Sequence, residues 1–389
     1  MRICEINTKK KTSLTGRVLA ACCLLTVVSQ LPQLVELNLS STLGRVIWIG
    51  YFLFLCFVKN DGKLSFPREL RIGIGVAFLF IIFVFTASFV RNISYYNSSL
   101  VLPFFMSIFL LLLGVQTGDI ITKYDFENCC KAYVLGAVVL ALNLYFSVFR
   151  GADLSGKTYL YGSKNSAAVI LFTAFLIAFV YGWKKGGKIR NLLNAFVLAL
   201  FVVLIFMMKT RAMIVCFPLV AFVSVIRAPF RKKLKLPLVA VCLVLVVLLA
   251  NPEIYDLLVN DIILGGRGED LNDISSGRFE QWLNFPDMIR EKILFGDGAT
   301  ELEAFPLTAL IQYGIPMGVI LIFFAAYPVG FSIRRLNQHN DNASFLLLLV
   351  SLAYFADSIF EQLAPFGPGA RCFFLWILFG IVISRKNTV

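Results

Sequence analysis

Residues 188–227 read KIRNLLNAFVLALFVVLIFMMKTRAMIVCFPLVAFVSVIR. Two apolar runs, 191–208 and 210–226, meet at Lys209, Thr210 and Arg211, and their far ends carry Lys188, Arg190 and Arg227. Each run approaches the ~20 residues that take an α-helix across a bilayer, and neither shows the steady polar alternation of a barrel strand. The stretch therefore predicts two antiparallel spanning helices, because a helix satisfies its own backbone polar groups where lipid offers none.

Runs of the same kind recur at 18–38, 43–58, 71–89, 98–116, 129–148, 166–182, 236–250, 306–327, 343–360 and 368–383. Together they predict an all-α polytopic transmembrane bundle of about 12 spans, with residues 1–389 forming one membrane domain. Composition agrees: 59% of the 389 residues are hydrophobic and 15% charged, well under the ~25% charge of soluble domains. The basic N-terminus, with Lys9, Lys10, Lys11 and Arg17, is read as the flank of an uncleaved first helix.

The net charge of +13 follows the spans rather than a soluble basic face. With a cytoplasmic N-terminus, the clusters at Lys59–Arg71, Lys184–Arg190, Arg227–Lys235, Arg334/Arg335 and Arg385/Lys386 fall on the inner side. The other side carries fewer, chiefly Arg91, Arg150, Lys157, Lys164, Lys209, Arg211 and Arg371. This positive-inside pattern places both termini in the cytoplasm and argues against nucleic acid as a partner. Membrane lipids are the expected surroundings.

Between the ninth and tenth spans lies a hydrophilic segment, 251–305, predicted as one large outer loop. It holds twelve of the chain's 23 acids against four basic residues, and it is far longer than a connector needs to be. Within it, SSGRFEQWLNFPDMIREKILFGDG (275–298) predicts short amphipathic helices, divided at Pro286, with Phe279, Trp282, Ile289 and Leu294 towards the membrane domain. Trp282 suits the headgroup level.

Arginine is the residue type that grips phosphate with a planar fork, so Arg278 on this stretch is the first functional candidate, against an ordinary ion pair with Glu280 or Asp273. Arg211 either snorkels at a helix start or lines a cavity. Arg150, Lys157 and Lys164 flank a glycine- and tyrosine-bearing outer loop able to hold an anionic or sugar-bearing ligand, or simply to be solvated. Glu301 and Glu303, just before a span, are candidate bases. The nine cysteines show no CxxC spacing, and there is no Walker loop, Rossmann fingerprint or His/acid cluster. No metal and no cofactor are expected.

Three stretches then resemble the bacterial O-antigen polymerase and ligase superfamily of integral membrane glycosyltransferases. YGSKNSAAVILF (161–172) is similar to its glycine- and asparagine-rich span entry, with Lys164 and Asn165 at the start; KTRAMIV (209–215) to its Ser/Thr-Arg turn at Arg211. SSGRFEQW through ILFGDG and FPLTALIQYGIPMGV resembles its arginine- and tryptophan-bearing segment, glycine turn and following span. Ligase-like members commonly carry a histidine ahead of an LxxLxxxG pattern; aligned on Leu307, Leu310 and Gly314, that place holds Glu303.

The resemblance implies glycosyl transfer at the outer, periplasmic face of a bacterial inner membrane. An undecaprenyl-diphosphate-linked oligosaccharide is the implied donor, and a second lipid-linked repeat unit the acceptor. The product would be an O-antigen, capsule or exopolysaccharide. Arg278 and Arg211 are implied to stabilise the leaving diphosphate and Glu303 or Glu301 to take the acceptor proton, metal- and nucleotide-free. Arg150, Lys164, Asn165, Arg290 and Trp282 complete the expected binding set. Two alternatives stay open: a ligase delivering the glycan to lipid A-core or protein, and a transporter or flippase for the lipid-linked oligosaccharide. A chain-length regulator and a flippase are the implied protein partners.

Overall fold

The computed structural model is all-α, with no strand among the described residues, which are 12–37, 39–58, 64–95, 98–151, 153–154, 164–182, 187–227, 277–367 and 371–385. Among the described residues nine helices lie ahead of residue 228: α1 (Leu14–Val28), α2 (Pro32–Glu36), α3 (Leu39–Val58), α4 (Arg68–Arg91), α5 (Val101–Gly118), α6 (Lys123–Phe149), α7 (Lys164–Tyr181), α8 (Lys188–Met207) and α9 (Arg211–Arg227). After residue 276 come α10 (Arg278–Ile289), α11 (Phe305–His339), α12 (Asn342–Asp357) and α13 (Phe373–Ser384).

Among the described residues seven helices, α3 to α8 and α11, are long and apolar enough to cross a membrane, where the sequence predicts about twelve. Three more apolar helices, α1, α12 and α13, are shorter. Local chemistry explains the shortening. The run 18–38 breaks into α1 and α2 because Pro32 has no N–H to continue a helix and opens the next one instead. The last two runs are trimmed where polar Asp357 and Arg371 stand at their facing ends. The run 236–250 and the loop up to residue 276 lie outside the described residues.

In lipid, apolar burial alone drives little association, so close packing and polar contacts hold helices together. At the α5–α13 crossing, a Cβ on Gly114 would meet the Ile377 carbonyl and one on Gly380 the Leu111 carbonyl, so only glycine lets these backbones approach. Every residue of α13 is buried, as are most of α7 and α12, which makes them the centre of the bundle. By contrast α4 and α8 turn Phe78, Phe85, Phe89, Leu192 and Phe196 outwards. One carboxylate ties α1 to α6: Asp125 accepts from the Ser13 N–H (3.0 Å) and hydroxyl (2.9 Å) while closing a capping box with Thr122.

The helix α11 is broken at Gly314, whose φ of 67° belongs to the left-handed region. A break frees backbone groups that lipid cannot satisfy. Segment 293–298 supplies the partners: Asp297 N–H donates to the Ile311 carbonyl (3.0 Å), Gly298 N–H to that of Gln312 (3.0 Å), and Ile315 N–H to that of Ile293 (2.7 Å). Tyr95 fastens the same segment by donating to the Phe295 carbonyl (2.6 Å) and stacking on Tyr313, ring centroids 5.4 Å apart.

Candidate functional site

Short connections alternate the helices, so α6, α8 and α12 finish at the end of the bundle where α5, α7, α9, α11 and α13 begin. Cross-links confirm the grouping: Gln362 donates to Ser99 (2.9 Å), Ser98 to Gln312 (2.9 Å), and Phe305 N–H to the Ser358 carbonyl (2.9 Å). The stretch 277–304 lies across this end. Its helix α10 buries Ile289 and packs Phe285 and Met288 on Leu302, Ala304, Leu307 and Ile311. Phe279, Trp282 and Leu294, expected to face inwards, are exposed instead.

Nor does Pro286 divide α10. Its missing N–H costs only the bond to the Trp282 carbonyl, on a surface turn where water can take that oxygen. The result is one continuous helix of 12 residues with Arg278 as its first.

Two sequence candidates meet here. Arg278 Nη2 lies 2.8 Å from Glu303 Oε2. Glu303 is fixed through its backbone as well, its N–H donating to Gln281 Oε1 (3.1 Å). The next residues are anchored by Thr308, whose hydroxyl accepts from the Leu302 N–H (3.0 Å) and donates to the Leu302 carbonyl (2.7 Å). Helix α10 and the entry to α11 thus hold the pair from both sides.

Beneath it lies a charged cluster that the sequence reading missed. Arg371, 3% exposed, contacts Asp357 at 2.5 Å and Glu361 at 2.9 Å. Asn165 at the start of α7 donates to the other oxygen of Glu361, and Arg278 is within electrostatic reach of Asp357. Asp357 and Glu361 offset the cost of burying the Arg371 charge. Asp357 Oδ1 and Arg371 Nε find no hydrogen-bond partner among the described residues. The signal was present in the sequence as Asp357 and Arg371 at the facing ends of the last two apolar runs, with Glu361 between them, where ionisable residues are costly without a role.

The remaining candidates are distributed around this end. Lys164 opens α7 beside Asn165, and Arg211 opens α9. Arg150 is exposed at the C-cap of α6, and Glu301 is exposed two residues before Glu303. Arg290, exposed at the other end of α10, is ~18 Å along the axis from Arg278 and does not join the pair. Asp297 makes a 2.6 Å ion pair with Lys292 and accepts from the backbone of Ala299 and Thr300. Partial burial pushes its pKa up, but these donors overcome that and hold it below the ordinary carboxylate value. Among the described residues no group of three or more His, Cys, Asp or Glu side chains is placed to hold a metal ion.

The fold and this end of the bundle define a polytopic helical membrane protein with arginines and carboxylates gathered where its central helices begin. Residues 195–318, about a third of the chain, match the O-antigen ligase family model, which supports assignment to the O-antigen polymerase and ligase superfamily. The matched stretch contains Arg211, Arg278, Trp282, Glu301 and Glu303, together with the Gly314 break. No curated protein matches the chain.

Proposed function

We propose that the chain is a membrane glycosyltransferase of the ligase type, moving an assembled glycan from a lipid diphosphate to an acceptor hydroxyl on lipid A-core or protein. The Arg278–Glu303 pair carries the reading. It sets a phosphate-binding fork against a carboxylate base at one end of a bundle whose matched stretch is ligase-like.

In this reading the incoming diphosphate competes for the Arg278 guanidinium and releases Glu303. The free carboxylate takes the proton of the acceptor O–H. The acceptor oxygen bonds to the anomeric carbon as the carbon–oxygen bond to diphosphate breaks, and the electron pair leaves on the lipid diphosphate. Arg278, with Arg211, stabilises that charge. Asp357, Glu361 and Arg371 hold the floor, and Asn165 and Lys164 border the sugar path from α7. Arg150, Glu301, Arg290 and Trp282 sit further out, Trp282 at the headgroup level.

One observation favours repeat-unit polymerisation as a second reading: Glu303 stands where ligase-like members commonly carry histidine. Both readings share the setting of about 12 spans in a bacterial inner membrane, 251–305 as a periplasmic loop and both termini cytoplasmic. They also share a working partnership with a flippase and, for the polymerase, a chain-length regulator.

The glycan profile of the native host after Arg278→Ala, with the variant's membrane abundance verified, separates them. Loss of ligation leaves long glycans on the lipid carrier and none on the acceptor. Loss of polymerisation leaves single repeat units still delivered. An unchanged profile with the variant present removes both readings.

A further inference from the structure

A cavity lies at the end of the bundle opposite Arg278. It is a groove of about 680 Å³ between the start of α4 and the second half of α11. Its rim carries Arg68, Arg334 and Arg335 against the single carboxylate of Glu69, an excess of positive charge. Arg335 is held in place by donating to the Arg385 carbonyl (2.7 Å), so its guanidinium is positioned before any ligand arrives.

Deeper along α11 the wall turns apolar, through Phe331 and Tyr327 to Phe323, with Ile72 facing from α4. Phe323 is 72% exposed, so the groove opens sideways onto the lipid-facing surface of a spanning helix. From Arg334 to Phe323 is ~16 Å along the helix axis, the reach of a headgroup together with the upper part of an acyl chain. Gly330 sits midway, and a Cβ added there would meet nothing within 4 Å, so the floor stays open.

We propose that this groove binds an anionic membrane phospholipid, its phosphate on Arg68, Arg334 and Arg335 and an acyl chain along Phe331 and Phe323. Cationic side chains at the mouth of an apolar groove between membrane helices give that charge and shape complementarity. A soluble phosphate compound would use the rim and leave the apolar wall unoccupied.

The test uses the purified full chain in mixed micelles with spin-labelled phosphatidylglycerol, following the motionally restricted component by electron paramagnetic resonance. Unlabelled phosphatidylglycerol should displace it, whereas phosphatidylcholine and inorganic phosphate should not. Arg68→Gln combined with Arg334→Gln should weaken binding roughly thirtyfold, on the scale of two basic residues at a lipid surface. Gly330→Leu fills the floor without touching any charge and should abolish the restricted component in protein that still runs as a single species. Equal displacement by phosphatidylcholine, full displacement by inorganic phosphate, or an intact restricted component in Gly330→Leu would each overturn the assignment.

Discussion

The guanidinium of Arg278 and the carboxylate of Glu303, 25 residues apart in sequence, lie 2.8 Å from each other, and Gln281 of the same helix holds the Glu303 backbone. The glutamate is half-exposed, so the contact contributes at most ~1 kcal/mol to stability, and its value is positional. Glu303→Gln should therefore reach the membrane at normal abundance while glycan transfer falls ~100-fold or more, the scale of losing a general base. Arg278→Lys keeps the charge but loses the fork, and should recover only part of the activity. Normal transfer by Glu303→Gln would remove the glutamate from the mechanism.

The cluster below behaves differently because it is buried. Arg371→Met leaves Asp357 and Glu361 without their cation, and the expected cost is ~3–5 kcal/mol, seen as lost membrane abundance and early thermal unfolding in detergent. Adding Asp357→Asn should restore a measurable part of that loss, with a coupling of ~1–3 kcal/mol in a double-mutant cycle. Additive effects of the two changes would mean that the residues act separately.

Gly314→Ala places a side chain in a left-handed backbone and against the Leu294 carbonyl. With ψ at 173° the conformation is one that essentially only glycine adopts and alone costs ~1–3 kcal/mol, and the collision should lift segment 293–298 from the break. Limited proteolysis should cut within 290–304 faster than in the parent. Gly330→Ala, on the same helix but facing open space, should be neutral or stabilising by up to ~1 kcal/mol.

Asp297 gives a pH signature. Its folded pKa lies below the ordinary 3.8, so its contribution is fully present above that value and is lost as pH falls through the lower folded one. Thermal stability of the purified protein should drop in that acid window, and Asp297→Asn, less stable at neutral pH, should show a flatter profile there. An unchanged acid profile in the variant would show that other carboxylates set it.

Sequence alone determined that the chain is helical and built for lipid, because the bilayer judges each run by length, apolarity and flanking charge, all of them local properties. Ten of the twelve apolar runs each fall on one helix, the run 18–38 falls on two and the run 236–250 lies outside the described residues, while seven of the described helices are long and apolar enough to cross a membrane. Arg278 and Glu303 were also visible singly, one by its chemistry on an amphipathic stretch, the other by its place before a span. Their pairing was not, and neither was the bond from Asn165 to Glu361, 196 residues further on. Those relationships depend on which helices share the centre of the bundle. That is decided by close backbone approach, as at Gly114 and Gly380, and by the need to satisfy the broken backbone at Gly314, and only the packed structure brings both together.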